Sequence, residues 1–173
     1  MKIRLENTNL SSTSGPNHFA SKLRKYLQRN KNQCVLDLNS PADIRLTFIE
    51  TQQDRVFEPM VLRLDGIYFD PEQNYKLKNK NILKSYKIAD GVVFQSNFSR
   101  DMCFRYFGKH DNFSVIHNGA DLEAINSVAP LQSSKLDYFE KVWSCASSWR
   151  RFKRLKENIL YFLEHSGPRD CLV

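Results

Sequence analysis

The stretch of residues 91–121, GVVFQSNFSRDMCFRYFGKHDNFSVIHNGAD, decides the fold of this chain. A short apolar run at residues 92–94 stops at polar residues, a helical segment follows, and a second apolar run at residues 113–116 stops at His117. Two buried strands around one helix are typical of a parallel α/β unit. In open parallel sheets, ligands bind where the carboxyl ends of the strands meet. We therefore expect a ligand site just after these two strands.

Strand-like and helix-like segments also alternate before this stretch. Helices are predicted to begin near Asn17 and Pro71, and four further strands are predicted at residues 2–6, 34–38, 44–49 and 60–64. This alternation implies right-handed crossover connections, which give a mostly parallel sheet covered by helices on both faces. The predicted fold class is therefore α/β, with a Rossmann-like parallel sheet.

The composition of the sequence changes after Asp121, where a polar segment follows the apolar strands. We predict a Rossmann-like domain over residues 1–125, a polar linker over residues 126–138 and a strand–helix–strand unit over residues 139–173. A unit of that size has too few elements to bury its own apolar faces. We therefore expect residues 139–173 to be the truncated start of a second α/β domain.

The composition indicates a globular protein that favours anionic partners. The chain has 173 residues, of which 41% are hydrophobic and 26% charged, and its net charge is +7. No apolar run reaches the roughly 18 residues that a membrane helix needs, and the N-terminus lacks a signal-peptide core. We expect a cytoplasmic location, with peripheral attachment to an anionic membrane left open. Nucleic acid is not an expected partner, because the chain shows no recognition motif for it.

Much of the positive charge lies in two clusters. The first is a lysine-rich helix, which is either a solvated face or a surface for anionic lipid or a lipid-linked phosphate. The second precedes a predicted helix near the C-terminus. The two clusters are Lys76, Lys78, Lys80, Lys84 and Lys87, and Arg150, Arg151, Lys153, Arg154 and Lys156.

The potential metal ligands follow no metal-binding spacing. The cysteines are far apart and are interpreted as free thiols, and the histidines form no ligand pattern. We therefore expect neither a metal nor another cofactor. The residues concerned are Cys34, Cys103, Cys145 and Cys171, and His18, His110, His117 and His165.

Four blocks of sequence stand out in order along the chain: SGPNHFA (14–20), VLRLDG (61–66), ADGVVFQS (89–96) with Phe98-Ser99, and VIHNGAD (115–121). Together they resemble the GT-B glycosyltransferases of family 4. The first matches the loop and helix start after the family's first strand, and the second matches the end of its fourth strand. The third is similar to a strand that ends in serine, and the fourth is close to the family's NGxD signature.

The resemblance implies a metal-independent, retaining transfer of a sugar from a nucleotide-sugar donor, in glycan or polysaccharide biosynthesis. The acceptor would be a glycan, a lipid-linked molecule or a small molecule, held by the N-terminal domain. Residues 148–155, SWRRFKRL, look like the family's donor turn. By position Arg150 and Lys153 would hold the donor diphosphate, with Arg151 and Arg154 as adjacent alternatives. The family's pair of glutamates, seven residues apart, has no counterpart here. We therefore expect a fragment with little activity by itself.

The resemblance also gives roles to residues at the predicted strand ends. Asp65 could position an acceptor hydroxyl and accept its proton, or it could simply form a turn with Gly66. Gly15 could let the backbone approach a phosphate or sugar, or it could be an ordinary loop glycine. The remaining cleft candidates fall into three kinds. Asn17 is also predicted to cap the first helix, and Ser96, Asn118 and Gly119 could simply form turns. His18 and His117 flank the cleft loops.

A second class of function stays open alongside the enzyme. The same fold could serve as a non-catalytic, Rossmann-like binding module for a phosphorylated or anionic ligand. Protection of Arg150 by a nucleotide-sugar would favour the transferase over this alternative.

Overall fold

The structure of the protein is a computed structural model. It describes residues 1–12, 14–53, 57–129, 133–149 and 153–173. The chain forms two compact units, Met1–Gly119 and Ala120–Val173. The predicted linker includes residues 130–132, which lie outside the described residues.

The first unit is built on a six-stranded parallel sheet with the order β2-β1-β3-β4-β5-β6. Its strands are β1 (Lys2–Glu6), β2 (Gln33–Val35), β3 (Ile44–Phe48), β4 (Met60–Leu64), β5 (Gly91–Phe94) and β6 (Phe113–Val115). Its helices are α1 (Gly15–Arg29), a 3₁₀ turn (Pro71–Gln73), α2 (Tyr75–Lys78), α3 (Lys80–Ile88) and α4 (Asn97–Phe107). This architecture confirms the predicted Rossmann-like α/β fold.

Helices cover the two faces of the sheet at different strands. On one face, α1 packs its Ala20 against Leu5 and Phe48 of the strands. On the other face, α3 and α4 cover an apolar surface that includes Leu62 and Phe94. Right-handed crossovers explain this division. The connection from β1 to β2 runs towards one edge of the sheet and the connections from β4 to β6 run towards the other, so their helices lie on opposite faces. The order therefore reverses between β1 and β3, which is where open α/β sheets commonly bind ligands.

Two predicted elements differ in detail. The strand predicted at residues 34–38 ends at Val35, and the chain then turns towards β3. The helix predicted from Pro71 is divided into three pieces, because Asn74 adopts a left-handed backbone with φ of 49° between the first two. The asparagine side chain tolerates that conformation better than most residues do.

Charged residues are buried on the face of β1 and β3 that points away from α1. Glu6 accepts hydrogen bonds from the hydroxyls of Thr47 (2.7 Å) and Thr51 (2.6 Å) and from Arg45 (3.2 Å). Arg45 also contacts Glu58 (3.0 Å). The alternation of apolar and charged residues in KIRLE and IRLTF explains this face, since every second side chain of a strand points the same way. Each buried charge there is paired.

The second unit contains the short helix α5 (Leu122–Asn126) and a parallel strand–helix–strand motif. The motif consists of β7 (Lys141–Trp143), α6 (Leu155–His165) and β8 (Asp170–Leu172). Trp143 anchors it, because its indole Nε1 donates to Asp170 (2.9 Å) and its ring meets that of Phe162 at 5.9 Å between centroids. The hydrogen bond that Asp170 accepts from Trp143 lowers the pKa of the Asp170 carboxyl group. Among the described residues, no helix has the length and apolar character that crossing a bilayer requires.

Candidate functional site

The carboxyl ends of β4, β5 and β6 bring polar side chains together in a closed ring. Arg63 forms an ion pair with Asp65, and its second nitrogen donates to Asn118 Oδ1 (3.2 Å). Asn118 Nδ2 donates to Gln95 Oε1 (2.7 Å), and Gln95 Nε2 donates to the backbone oxygen of Asp65 (2.7 Å). Each of the three strands contributes one loop to this ring. The polar groups are therefore held in place before any ligand binds.

Arg63 is the buried centre of the ring. Its exposure is only 6%, and its guanidinium lies 4.0 Å from the centre of the Phe19 ring. A cation over an aromatic face is attracted by the ring quadrupole, and the attraction is stronger where water is excluded. Helix α1 thus fixes Arg63 from one side, while Asp65 and Asn118 fix it from the edge of the sheet.

Burial changes the acidity of the ion pair. It raises the pKa of Asp65 above its usual value, although the charge and hydrogen bond of Arg63 act in the opposite direction. It also lowers the pKa of Arg63, again against the influence of its partner. The Asp65 side chain keeps a 25% exposure to solvent. The arrangement provides a carboxylate that is accessible, oriented and more basic than a free aspartate.

A cavity of about 220 Å³ opens beside the ring. Its walls include Phe19 and Val93, and its lining also includes Arg63, His117 and Asn118. An apolar cavity with a few convergent polar groups is the usual form of a small-molecule site. The structure thus brings the predicted residues His117 and Asn118 to this cavity, whereas Asp65 is joined to Asn118 through Arg63 and does not line the cavity.

The predicted residues near α1 lie at another cavity. Asn17 accepts a hydrogen bond from the backbone of Asn9 (2.9 Å) and donates to the hydroxyl of Ser14 (3.0 Å). It lines a cavity of about 370 Å³ together with Thr8 and Gln52. Helix α1 begins at Gly15, so the prediction that Asn17 caps this helix is wrong. The N-cap position belongs to Ser14, whose extended backbone is followed by a proline in the first turn, a favoured helix start.

The predicted glycines and serine have simpler surroundings. Gly15, Gly66 and Gly119 have open space where a Cβ would stand, and none of them has a positive φ. Their role in close ligand approach stays a prediction. Ser96 is the N-cap of α4 and accepts from the backbone of Ser99 (3.1 Å). His18 is exposed in the first turn of α1 and lines neither cavity.

The predicted donor residues belong to the second unit. Arg150 lies outside the described residues. Lys153 is exposed, two residues before α6, and the intervening Arg154 has a left-handed backbone with φ of 56°. A cation just before a helix N-terminus can face an anion together with the free backbone N–H groups of the first turn.

Two central residues of the ring, Arg63 and Gln95, are absent from the sequence-based candidates. The available signal for Arg63 is its position inside the apolar run MVLRL, where an isolated charge must find a partner. Gln95 directly follows GVVF and had the same positional signal as Ser96. In the part of the chain described, no three side chains are grouped as metal ligands. The absence of a metal requirement stays a prediction.

Comparison with known proteins supports the fold. The chain matches no protein-family model and no curated protein sequence. It is similar to the crystal structure of HepE from Anabaena in complex with UDP, with a TM-score of 0.66 and 14% sequence identity. The similarity covers 99% of this chain and 60% of HepE. The fold is therefore GT-B-like, and the chain spans less than two thirds of the length of this neighbour.

Proposed function

We propose that the protein is a metal-independent, retaining glycosyltransferase similar to those of family 4, acting in glycan or polysaccharide biosynthesis. It would transfer a sugar from a nucleotide-sugar to an acceptor bound at the carboxyl ends of β4, β5 and β6. The observation that carries this proposal is the ring around Arg63, which presents an accessible Asp65 beside a cavity on a GT-B-like fold. The UDP complex of HepE supports a uridine diphosphate donor as the first one to test.

Asp65 is the proposed group that handles the acceptor proton. A hydroxyl becomes nucleophilic as it loses its proton, and a carboxylate of raised pKa accepts a proton more readily than an ordinary one. Arg63 holds one carboxylate oxygen in place, so the other is left to face the acceptor. Replacing Asp65 by asparagine keeps the shape and removes the basicity.

Lys153, together with Arg150, is proposed to bind the donor diphosphate. The diphosphate gains negative charge as the sugar leaves, so a positioned cation stabilises the transition state more than the ground state. The proposal includes the expectation from the sequence that these 173 residues have little transferase activity by themselves. Diphosphate binding is the property that this length of chain should retain.

The test is calorimetric titration of the chain with UDP. We expect binding that weakens about tenfold in Lys153→Gln, the loss of one charge-assisted contact. Lys156→Gln is the matched control, because Lys156 is equally an exposed lysine beside the same helix start. Absence of UDP binding, or equal weakening in both variants, would contradict the proposed donor site.

A non-catalytic binding module is the second candidate. It is favoured by the closed ring, in which the polar groups of Arg63, Gln95 and Asn118 satisfy one another. The two candidates differ in the ligand that Arg150 and Lys153 recognise. A transferase should bind a nucleotide-sugar there, and the bound ligand should protect Arg150 from chemical modification. A module that recognises another anion should leave Arg150 open to modification in the presence of a nucleotide-sugar.

A further inference from the structure

An exposed surface of apolar and basic side chains borders the carboxyl edge of the sheet. Leu77 and Phe98 are 66% and 64% exposed, and Tyr68 and Phe69 are exposed as well. Exposed lysines lie among them along the chain. We call this surface the aromatic–lysine patch, and its members are Tyr68, Phe69, Lys76, Leu77, Lys78, Lys80 and Phe98.

Two contacts join four members of the aromatic–lysine patch. The rings of Phe69 and Phe98 meet edge to face at 6.1 Å between centroids, and Lys78 Nζ lies 4.8 Å from the centre of the Tyr68 ring. Asn79, which is buried, accepts from the Tyr68 backbone N–H (3.0 Å) and donates to its carbonyl (2.6 Å). The loop that carries the exposed rings is therefore fixed to the start of α3.

The charge of this region favours an anionic partner. Residues 74–88, NYKLKNKNILKSYKI, contain five lysines and no acidic residue. Asp70 and Glu72 lie just before them, and residues 70–88 together still carry a net charge of +3. The lysines attract an anionic surface over a long range, and the exposed aromatic and leucine side chains add a short-range apolar contact with it. A free phosphate has no apolar group that could pack against these side chains.

We propose that the aromatic–lysine patch docks the protein on an anionic lipid bilayer. Aromatic rings with a polar or cationic neighbour suit the headgroup layer of a bilayer, because the ring can contact the apolar acyl chains while its neighbour stays hydrated. The exposed Leu77 favours lipid over nucleic acid, since a leucine finds no stacking partner among bases.

The position of the patch connects docking to the site. Tyr68 follows Asp65 by three residues in the same loop, and Phe98 follows Ser96 by two. A docked protein would therefore hold the carboxyl edge of β4 and β5 at the membrane surface. The acceptor class that fits is a lipid-linked molecule whose sugar or phosphate head projects from the bilayer. This part rests on the proposed function, whereas the docking itself does not.

Vesicle flotation tests the docking with the whole chain. We expect binding to vesicles of phosphatidylcholine and phosphatidylserine, and little binding to vesicles of phosphatidylcholine only. The variant Lys76→Gln/Lys78→Gln/Lys80→Gln should bind about 100-fold more weakly, at roughly fivefold for each lysine. Leu77→Ser/Phe98→Ser should lower the affinity about tenfold or more, and this loss should persist at high salt.

The matched control removes three positive charges from the exposed side of α1 and the turn after it, with Lys25→Gln/Arg29→Gln/Lys31→Gln. An equal loss in this control would mean attraction by net charge and would overturn the proposal, as would absence of vesicle binding. Release by inorganic phosphate would indicate a phosphate site, and release by single-stranded RNA but not by phosphate would indicate nucleic acid; either result overturns it. UDP titration of the same variants separates the two proposals, because docking can fail while UDP binding is retained.

Discussion

Replacing Arg63 by methionine tests the ring at its centre. The substitution keeps much of the apolar volume beside Phe19 but removes the charge that faces Asp65. Losing one partner of a buried ion pair costs about 3–5 kcal/mol, and the lost cation–π contact adds about 0.5–2 kcal/mol. Because the Asp65 side chain is 25% exposed, water can solvate its unpaired charge and offset part of this destabilisation. We expect the free energy of unfolding to fall by about 3 kcal/mol near neutral pH.

The loss should depend on pH, and its sign follows from the pKa of Asp65. Burial already raises that pKa, and Arg63 opposes the rise, so removing Arg63 raises the pKa further. A carboxyl with a raised pKa in the folded state binds its proton more tightly there than in the unfolded chain. Its contribution to stability is therefore present at low pH and is lost as the pH rises through the folded-state pKa. Arg63→Met should lose less stability near pH 4 than near pH 7.

Urea unfolding at the two pH values measures this difference. The double variant Arg63→Met/Asp65→Asn is the control, because it removes both charges. It should be more stable than Arg63→Met at neutral pH, and its own free energy of unfolding should change less between the two pH values than that of Arg63→Met does. An Arg63→Met protein as stable as wild type, or one destabilised equally at both pH values, would refute the role given to the ring.

Three further perturbations test other parts of the first unit. Glu6→Ala should lower the free energy of unfolding by about 3–5 kcal/mol, because it leaves Arg45 with one carboxylate partner; Glu6→Gln should cost less in the same urea titration. Gly108→Ala should cost about 1–3 kcal/mol in thermal unfolding, since Gly108 has a φ of 90° that a side chain strains. Gly15→Ala, at an open site with ordinary backbone, is its control. Burial raises the pKa of Cys103 to about 12, so this thiol should not react with an alkylating reagent in the native protein but should react in urea, as measured by mass spectrometry. Alkylation in the native state would contradict its burial.

The fold could be predicted because its signals are local and repeated. Apolar runs such as 92–94 end at polar residues, and helices separate them, so the parallel sheet follows from general rules of connection. The polar face of β1 and β3 has an equally simple signal in the alternation of KIRLE and IRLTF. The start of α1 was harder, because Ser14 and Asn17 are both good capping residues and the proline between them decides the position.

The candidate site could be predicted only in part, because the ring depends on side chains distant in sequence. Asp65 and Asn118 both follow predicted strands, so their meeting at one edge could be expected. Arg63 could not be assigned, since its partner Phe19 comes from α1 and only the folded chain shows that contact. The proposed membrane docking could not be placed from sequence either, because the sequence shows the lysines but does not show that Leu77 and Phe98 are exposed.

Amide NMR titration of the 173-residue chain with UDP and, separately, with a panel of small sugars examines both proposed sites in one experiment. We expect UDP to shift the amide signals of Lys153 and its neighbours. We expect an acceptor-like sugar to shift the signals of Asp65, Gln95 and Asn118, and Asp65→Asn to change the second response but not the first. A chain whose signals respond to neither compound, or in which no sugar moves Asp65, Gln95 and Asn118, would contradict the proposed function.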